Sequence, residues 1–305
     1  MEQQHRQPRT VQSTVADVRQ FLDYLGDDPS LTSDRILAYL RWLDEQEGRQ
    51  QATLRRKLVS VRTFLHHLVR LGLTESNAAE PITVESNRAP TLVPLSALGC
   101  RQLLQAAETD PRWNALLLVL LTTGLKKSEA LALDWSDLTW DDQRVAQRLT
   151  VRAAGRGVRA RTLRVPPVTG AALGRHAAAA DPPWATKGRV FTLSARGFDY
   201  MIRRGAEQAG LDHLPVTAQL LRDTFAVTLL SALMTRERQT RRGLSPAGQA
   251  RVKRGYESGF LRVLGVGRNA ALLARYRIAV AESEEPDGAE GAFLSHTDLA
   301  SADEL

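Results

Sequence analysis

The stretch TTGLKKSEALALDWSDL, residues 122–138, marks the point at which one helix of the chain ends and another begins. The apolar run before it, over residues 113–121, predicts a buried helix, and Gly124 is its stop signal. After it, residues 130–151 predict a short helix, a turn centred on Trp135 and a strand over 145–151. A turn at residues 155–157 leads into a returning strand over 161–165, so this region contains one small antiparallel hairpin.

Helical patterns occupy most of the chain on both sides of this segment. Three are predicted before residue 80: over 14–26 behind a cap formed by Thr14 and Asp17, from about Ser33, and from Leu54 to a stop at Gly72. Four more follow residue 195, over 198–209, 217–233, 247–264 and 270–280. The predicted fold class is mainly α: a helical N-terminal domain followed by an α+β domain that is mostly helical.

The composition between the two helical regions is typical of a linker. Residues 81–95 contain three prolines among Asn, Ser and Thr. We therefore place the first domain at 1–84, the linker at 85–95, the second domain at 96–280 and a tail at 281–305.

The composition excludes several classes of protein. No apolar run approaches 18 residues, which excludes a membrane-spanning helix, and the polar N-terminus excludes a secretory signal. The single cysteine, Cys100, cannot form an intrachain disulfide, and no Cys/His cluster resembles a zinc site. A glycine loop of the nucleotide-binding type is also absent. We expect a cytoplasmic protein without a metal or nucleotide cofactor.

The charge is distributed unevenly along the chain. The whole sequence has 41 Lys and Arg against 34 Asp and Glu, a net charge of +7. Residues 281–305 contribute eight acidic and no basic side chains, so residues 1–280 carry +15. A basic body favours a polyanionic partner, first of all nucleic acid. The alternative is an arginine-rich surface without a specific partner.

The third predicted helix has one face of a single sign. Its outer positions hold basic or titratable side chains between Arg55 and Arg70, and the segment contains no carboxylate. Such a face suits phosphate groups, although a merely solvated face is the alternative. The candidate phosphate contacts on this helix are Arg55, Arg56, Lys57 and Arg62.

Several sequence motifs follow one another along the chain in a specific order. They lie at residues 71–82, 122–138, 155–166, 190–226 and 263–276, and include Gln219-Leu220-Leu221-Arg222-Asp223 and Arg275-Tyr276. Together they resemble the tyrosine recombinase, or phage integrase, family. The resemblance is colinear over roughly residues 12–280, which makes it more specific than any single motif.

This resemblance implies a fold and an activity. The N-terminal part would be the family's core-binding domain and the rest its catalytic domain, which together clamp double-stranded DNA. In the family a tyrosine attacks a DNA phosphodiester and forms a 3′-phosphotyrosyl intermediate, with no metal or nucleotide cofactor. We therefore expect site-specific recombination or integration of DNA, self-association as dimers or tetramers on DNA, and a nucleoid-associated location.

The residues at the family's catalytic positions are mostly substituted. Arg222 and the candidate nucleophile Tyr276 are retained, whereas Lys126 replaces an arginine and Gln219 a histidine. The hairpin lysine position holds Arg156 or, with a longer hairpin, Arg159. Val266 occupies a position that is usually histidine or tryptophan, and Asp223 one that is usually histidine.

These substitutions predict that phosphate binding survives better than proton transfer. Lysine lacks the bidentate fork of arginine, arginine is a poor proton donor, and glutamine cannot shuttle a proton. Three hypotheses follow: an active recombinase; a catalytically inactive architectural or regulatory DNA-binding protein, or partner of an active recombinase; or a helical scaffold for RNA or an acidic protein. The further candidate DNA contacts are Lys127, Arg159, Arg161, Arg241 and Arg242.

Two segments are additions to the family pattern. The interval between Arg222 and Gly265 is longer than usual, and its extra residues, about 235–259, are rich in arginine. A disordered surface insertion is one reading, and a basic loop that adds phosphate contacts is the other. The acidic tail over 281–305 is expected to be disordered.

Overall fold

The computed structural model describes residues 8–28, 30–45, 51–84, 92–152 and 160–283. The chain forms two compact units, Met1–Pro90 and Thr91–Leu305. The division falls inside the predicted linker, most of which lies outside the described residues. The last part of that linker is not free, because Leu92 and Leu95 are buried in the core of the second unit.

Unit 1 contains three helices, α1 (Pro8–Leu25), α2 (Ser33–Glu45) and α3 (Gln51–Arg70). Each helix contributes one apolar face to a shared core, as the spacing of the apolar residues predicts. Tyr39 of α2 is fully buried and its ring lies 5.1 Å from that of Phe21 in α1. The other core residues are Leu25, Ile36, Leu40, Leu43, Leu54, Leu58, Val61, Leu65, Ala79 and Ile82.

Helix α1 begins earlier than predicted, and this changes the role of Asp17. Because the helix starts at Pro8, Thr14 and Asp17 lie inside it and do not cap it. The Asp17 carboxylate is buried and accepts hydrogen bonds from the Lys57 ammonium at 3.1 Å, the Ser60 hydroxyl at 2.9 Å and the Arg56 guanidinium. Asp17 therefore links α1 to α3.

Three of the four candidate phosphate contacts on α3 bind groups inside unit 1, which the prediction of a single-sign face did not include. Lys57 is only 6% exposed and pairs with Asp17, as does Arg56. Arg62 donates from Nε to the Ala79 carbonyl at 3.2 Å and from Nη2 to the Ile82 carbonyl at 2.6 Å. The sequence of α3 alone contains no carboxylate, but α1 and the segment after α3 supply the acceptors. Arg55 is exposed.

Unit 2 is mostly helical and contains a small sheet. Its helices are α4 (Ala97–Ala106), α5 (Pro111–Thr123), α6 (Lys127–Ala132), α7 (Pro167–Ala178), α8 (Ala195–Gln208), α9 (Ala218–Thr240), α10 (Pro246–Val263) and α11 (Ala270–Ser283). The mostly apolar α5 is buried almost throughout, and α7 and α9 pack against it. No helix among the described residues meets the length and apolarity that a membrane span requires.

The sheet contains the predicted hairpin and one further strand. Strands β2 (Ala146–Val151) and β3 (Arg161–Arg164) pair antiparallel, with Leu149 opposite Leu163. Strand β1 (Leu138–Trp140), which the sequence pattern did not predict, pairs with the other edge of β2. The turn residues 153–159, including the predicted site residues Arg156 and Arg159, lie outside the described residues.

The extra segment at 235–259 is helical rather than a disordered loop. Helix α9 continues through it to Thr240, and α10 begins at Pro246 behind the N-cap Ser245. The two helices pack against each other as an antiparallel pair. The tail beyond residue 283 lies outside the described residues.

Asp17→Asn should destabilise unit 1. The substitution leaves the Lys57 ammonium buried without a charged partner, so we expect a loss of about 3 kcal/mol in the free energy of unfolding. Urea denaturation of the full chain, followed by circular dichroism, measures it. The matched control is Asp23→Asn on the exposed side of α1, with an expected change under about 0.5 kcal/mol. Equal effects of the two substitutions would contradict this role of Asp17.

The same carboxylate makes the stability of unit 1 sensitive to acid. Burial raises the pKa of Asp17, but hydrogen bonds from Arg56, Ser60 and Lys57 outweigh it and hold the pKa below its usual value of 3.8. Its contribution is therefore fully present above pH 3.8 and is lost as the pH falls through the lower pKa of the folded state. The acid unfolding curve of Asp17→Asn should lack this component.

Candidate active site

Arg222 is the residue around which the candidate site is built. It lies in the first turns of α9, whose N-cap is the Thr217 hydroxyl, and is 5% exposed. Its Nη2 donates to the Leu264 carbonyl at 2.7 Å, and its Nη1 donates to the Gly124 carbonyl. These two carbonyls lie at the C-terminal ends of α10 and α5, where the helix dipoles concentrate negative charge. The guanidinium therefore joins three segments that are distant in the sequence.

Glycine is required at the C-terminal ends of both helices, α5 and α10. Gly124 has φ +61°, and a Cβ there would lie 2.3 Å from the ring of Phe225. Gly265 has φ +64°, and its Cβ would lie 2.3 Å from the guanidinium of Arg161. Both backbones are in the left-handed region, which favours glycine. The two glycines end α5 and α10 and leave their last carbonyls directed at the arginines.

A second buried arginine, Arg161, lies beside this centre. Its Nη1 and Nη2 donate to the two carboxylate oxygens of Glu129 at 3.0 and 2.9 Å, and its Nε donates to the Val263 carbonyl at 2.8 Å. Glu129 also accepts from the Lys126 backbone N–H at 2.8 Å. Burial opposes ionisation of Glu129, but these hydrogen bonds and the charges of Arg161 and Arg222 hold its pKa below the usual value.

The prediction that Arg161 contacts DNA requires an exposed side chain, and it is wrong because this side chain is buried. The side chain points into unit 2 and is 8% exposed. Strand β3 alternates in burial, with Arg161 and Leu163 on the inner face and Thr162 and Arg164 on the outer face. That alternation is visible in the sequence and places Arg161 inside.

Tyr276 is buried and bound to a carboxylate. Its hydroxyl donates to Asp223 Oδ1 at 2.5 Å, and the side chain is 2% exposed. Its ring meets that of Phe260 edge-on at 5.7 Å. Burial, the hydrogen bond to Asp223 and the charge of Asp223 all raise the pKa of Tyr276. The phenol is thus neutral at physiological pH and is already engaged as a donor.

Gln219 shares the same acceptor. Its Nε2 donates to Asp223 Oδ1 at 2.8 Å, across one turn of α9. Asp223 therefore accepts hydrogen bonds from both Tyr276 and Gln219. The spacing of four residues between Gln219 and Asp223 indicates one of these contacts. The contact with Tyr276 joins residues 53 positions apart and has no local signal.

The two lysines of the 122–138 segment differ in their surroundings. Lys126 is half-buried in the loop between Gly124 and α6, and its ammonium has no ion-pair partner among the described residues. Lys127 donates to Asp199 Oδ2 at 2.5 Å and lies over the ring of Phe198 at 5.6 Å. Of the two, Lys126 keeps a charge that is free to meet an anion.

The structure brings three of the predicted site residues together and separates others from them. Arg222, Gln219 and Tyr276 converge through the contacts of Arg222 and Asp223, whereas Lys126 follows two residues after Gly124 and half-buried Val266 two residues after Leu264. Arg241 and Arg242 lie at the far end of α9. That end is about 27 Å along the helix from Arg222, at 1.5 Å per residue.

Arg241 is occupied within the hairpin of α9 and α10. Its Nη1 donates to Glu237 at 2.9 Å and its Nη2 to Gln249 at 3.1 Å.

Among the described residues, no group of three or more His, Cys, Asp or Glu side chains is arranged to hold a metal ion. The site around Arg222 and Asp223 brings together a phenol, an amide, a carboxylate and a guanidinium group.

No protein-family model matches the sequence. Individual proteins do match it. The chain is 32% identical over 250 residues to the tyrosine recombinase XerC of Mesorhizobium japonicum, covering 73% of this chain and 77% of that protein. It is 28% identical over 242 residues to the tyrosine recombinase XerD of Halalkalibacterium halodurans, covering 72% and 78%.

Two solved structures share the fold. One is a lambda integrase tetramer bound to a Holliday junction, with a TM-score of 0.62 and 16% identity over 94% of this chain and 76% of that chain. The other is the Tn1549 transposon integrase, residues 82–397, in complex with circular intermediate DNA. Its TM-score is also 0.62, with 17% identity over 93% and 95% of the two chains.

The ionisation of Tyr276 can be measured directly. Subtracting the alkaline absorbance titration of Tyr276→Phe from that of the wild type isolates one of the five tyrosines. We expect its pKa above the usual 10.0, and we expect Asp223→Asn to lower it because the neighbouring charge is removed. The exposed control Asp199→Asn should not. An unchanged midpoint in Asp223→Asn would contradict the contact.

The same shift has a consequence for stability in alkali. Because the folded pKa of Tyr276 lies above its unfolded value of 10.0, folding favours the neutral phenol. Its contribution to stability is full below pH 10 and decreases as the pH rises through the folded pKa. Above pH 10, the stability of Tyr276→Phe should therefore fall less steeply with pH than that of the wild type.

Proposed function

Because this chain belongs to the tyrosine recombinase family, we propose that it binds double-stranded DNA at a surface that includes Lys126, and that strand cleavage by Tyr276 is suppressed. It would act as an architectural or regulatory DNA-binding protein that self-associates on DNA, alone or with an active recombinase. The two integrases of similar fold were solved on DNA, one of them as a tetramer, which supports both parts of the binding proposal. Such a protein acts at the nucleoid, in the cytoplasm.

The observation that carries the suppression is the hydrogen bond from Tyr276 to Asp223. A tyrosine that attacks a phosphodiester must expose its oxygen to the DNA and lose its proton. Here the oxygen is buried, its hydrogen bond is committed to a carboxylate, and its pKa is raised. A negatively charged carboxylate at that position also repels the phosphate that the tyrosine would attack.

The remaining side chains offer little compensation. General acid–base groups contribute roughly 10²- to 10⁴-fold each, and neither Gln219 nor Val266 can exchange a proton. Lys126 stabilises charge on a phosphoryl oxygen without the bidentate geometry of an arginine. These groups retain an affinity for phosphate, because positive charge and amide hydrogen bonds suffice for it.

The same hydrogen bond favours one rival function. If Tyr276 and Asp223 move together into contact with DNA, the carboxylate takes the phenol proton while the phenol oxygen bonds to phosphorus. The 5′ oxygen of the broken phosphodiester then leaves with a proton from water. In this active recombinase, Asp223 would be a general base.

Trapping of covalent adducts tests the suppression and separates it from the rival. The full chain is incubated with fragmented genomic DNA, denatured in detergent and assayed for protein-linked DNA. We expect the wild type to give no more adduct than Tyr276→Phe, because the phenol is held away from phosphate. An adduct that requires Tyr276 and is lost in Asp223→Asn would overturn the suppression and assign the general base.

DNA binding has its own test. Each phosphate contact contributes about 0.9 to the slope of log affinity against log salt. Lys126→Gln should reduce the slope on a 40-base-pair duplex by about that amount. The control Lys187→Gln, at an exposed lysine of unit 2, should leave the slope unchanged. If the wild type shows no salt-sensitive binding of DNA, the proposed function is wrong.

A further inference from the structure

The extra segment forms an ordered pair of helices. The Thr240 hydroxyl at the end of α9 lies 3.2 Å from that of Tyr256 in α10, and the Gln249 amide donates to the Leu244 carbonyl at 2.9 Å. Arg277 of α11 pairs with Glu257 of α10. These contacts hold α10 in place along its length, so the outer face of α10 is a fixed surface.

That outer face carries a line of arginines. Arg251, Arg254 and Arg262 are exposed, and their spacings of three and eight residues place them within a narrow arc of the helix. We call these three residues the α10 arginine stripe. It spans about 16 Å, at 1.5 Å per residue. Between the arginines the exposed positions of the same arc are small, Gly255 and Ser258.

The nearby carboxylates do not neutralise the stripe. The only acidic residue of α10 is Glu257, which is bound to Arg277, and Glu237 of α9 is bound to Arg241 at 2.9 Å. Within the part of the chain that the structure describes, the arginines of the stripe have no ion-pair partner. Three guanidinium groups in a row therefore face solvent with their charge uncompensated.

The chemistry of the face favours a regular polyanion over a protein. Protein interfaces are anchored by buried apolar or aromatic side chains, and the large exposed hydrophobics of unit 2 do not include any on this arc. A duplex presents about one phosphate per 3.4 Å of axis on each strand, so 16 Å of helix faces four or five phosphates of one strand. Arginine matches phosphate with parallel hydrogen bonds.

We propose that the α10 arginine stripe is a second phosphate-binding surface of unit 2, which binds the backbone of double-stranded DNA in addition to the surface at Lys126. The stripe begins at Arg251, about 20 Å along the helix from Leu264, the C-terminal acceptor of Arg222, and ends at Arg262, two residues before Leu264. The stripe contacts phosphates only and adds affinity without sequence preference. This proposal rests on the proposed function in one respect, because it requires that the chain binds DNA.

The test compares two triple variants of the full chain. Arg251→Gln, Arg254→Gln and Arg262→Gln together should reduce the salt slope on a 40-base-pair duplex by about 2 to 3. The matched control replaces three exposed arginines on other helices, Arg19→Gln, Arg41→Gln and Arg175→Gln, and removes the same charge. Its slope should fall by less than about 1, because these arginines are not aligned. Thermal unfolding midpoints should stay unchanged in both.

A charge-preserving variant and a combined variant complete the test. Arg251→Lys, Arg254→Lys and Arg262→Lys should retain most of the slope, because lysine also neutralises phosphate. Adding Lys126→Gln to the glutamine triple should lower the slope further by about 0.9, since separate surfaces act additively.

Two results would overturn the stripe while leaving the proposed function intact. One is DNA binding by the glutamine triple with an unchanged or steeper slope, which is expected if the stripe holds the acidic tail 281–305 instead. The other is an equal loss in the scattered control, which reduces the effect to net charge. Wild-type chain that fails to bind DNA at all is a different outcome, and it overturns the proposed function as well.

Discussion

The guanidinium of Arg222 is the constraint on which the arrangement of unit 2 depends. It is buried between the C-terminal ends of α5 and α10 and binds a backbone carbonyl of each. Hydrogen bonds to a charged group contribute about 1.5 to 3 kcal/mol, and removal of the arginine would leave both carbonyls buried and unpaired. Gly124 and Gly265 have the backbone conformations that end the two helices at this point. The rest of the site is positioned relative to this junction.

Around this junction the charges are paired inside the protein. Arg161 is neutralised by Glu129, and Asp223 lies next to Arg222 in the sequence while it binds Tyr276 and Gln219. The carboxylate of Asp223 turns the tyrosine from a candidate nucleophile into a hydrogen-bond donor. Under the proposed function, this one residue, at a position that is usually histidine in the family, is what suppresses attack on a phosphodiester.

The two units use their basic residues in different ways. In unit 1, Arg56, Lys57 and Arg62 of α3 bind Asp17 and backbone carbonyls, so most of the apparent phosphate-binding face is structural. In unit 2, α10 exposes Arg251, Arg254 and Arg262, which have no carboxylate partner among the residues that the structure describes. The net charge of the chain therefore says little about which arginines meet a ligand, because their partners come from other helices.

Most of the helices, the hairpin and the family could be predicted from the sequence, because apolar spacing, glycine stops and colinear motifs are local properties, whereas α7 and β1 were not predicted. The family resemblance predicts Lys126, Gln219, Arg222 and Tyr276 as site residues, and the structure brings the last three together. The tertiary structure decided the rest. The start of α1 moved Asp17 from a cap to the interior, the inner face of β3 took Arg161 to Glu129, and the packing of α11 on α9 brought Tyr276 to Asp223. Each of these contacts joins residues at least 32 positions apart, and such pairings depend on how helices pack rather than on local sequence.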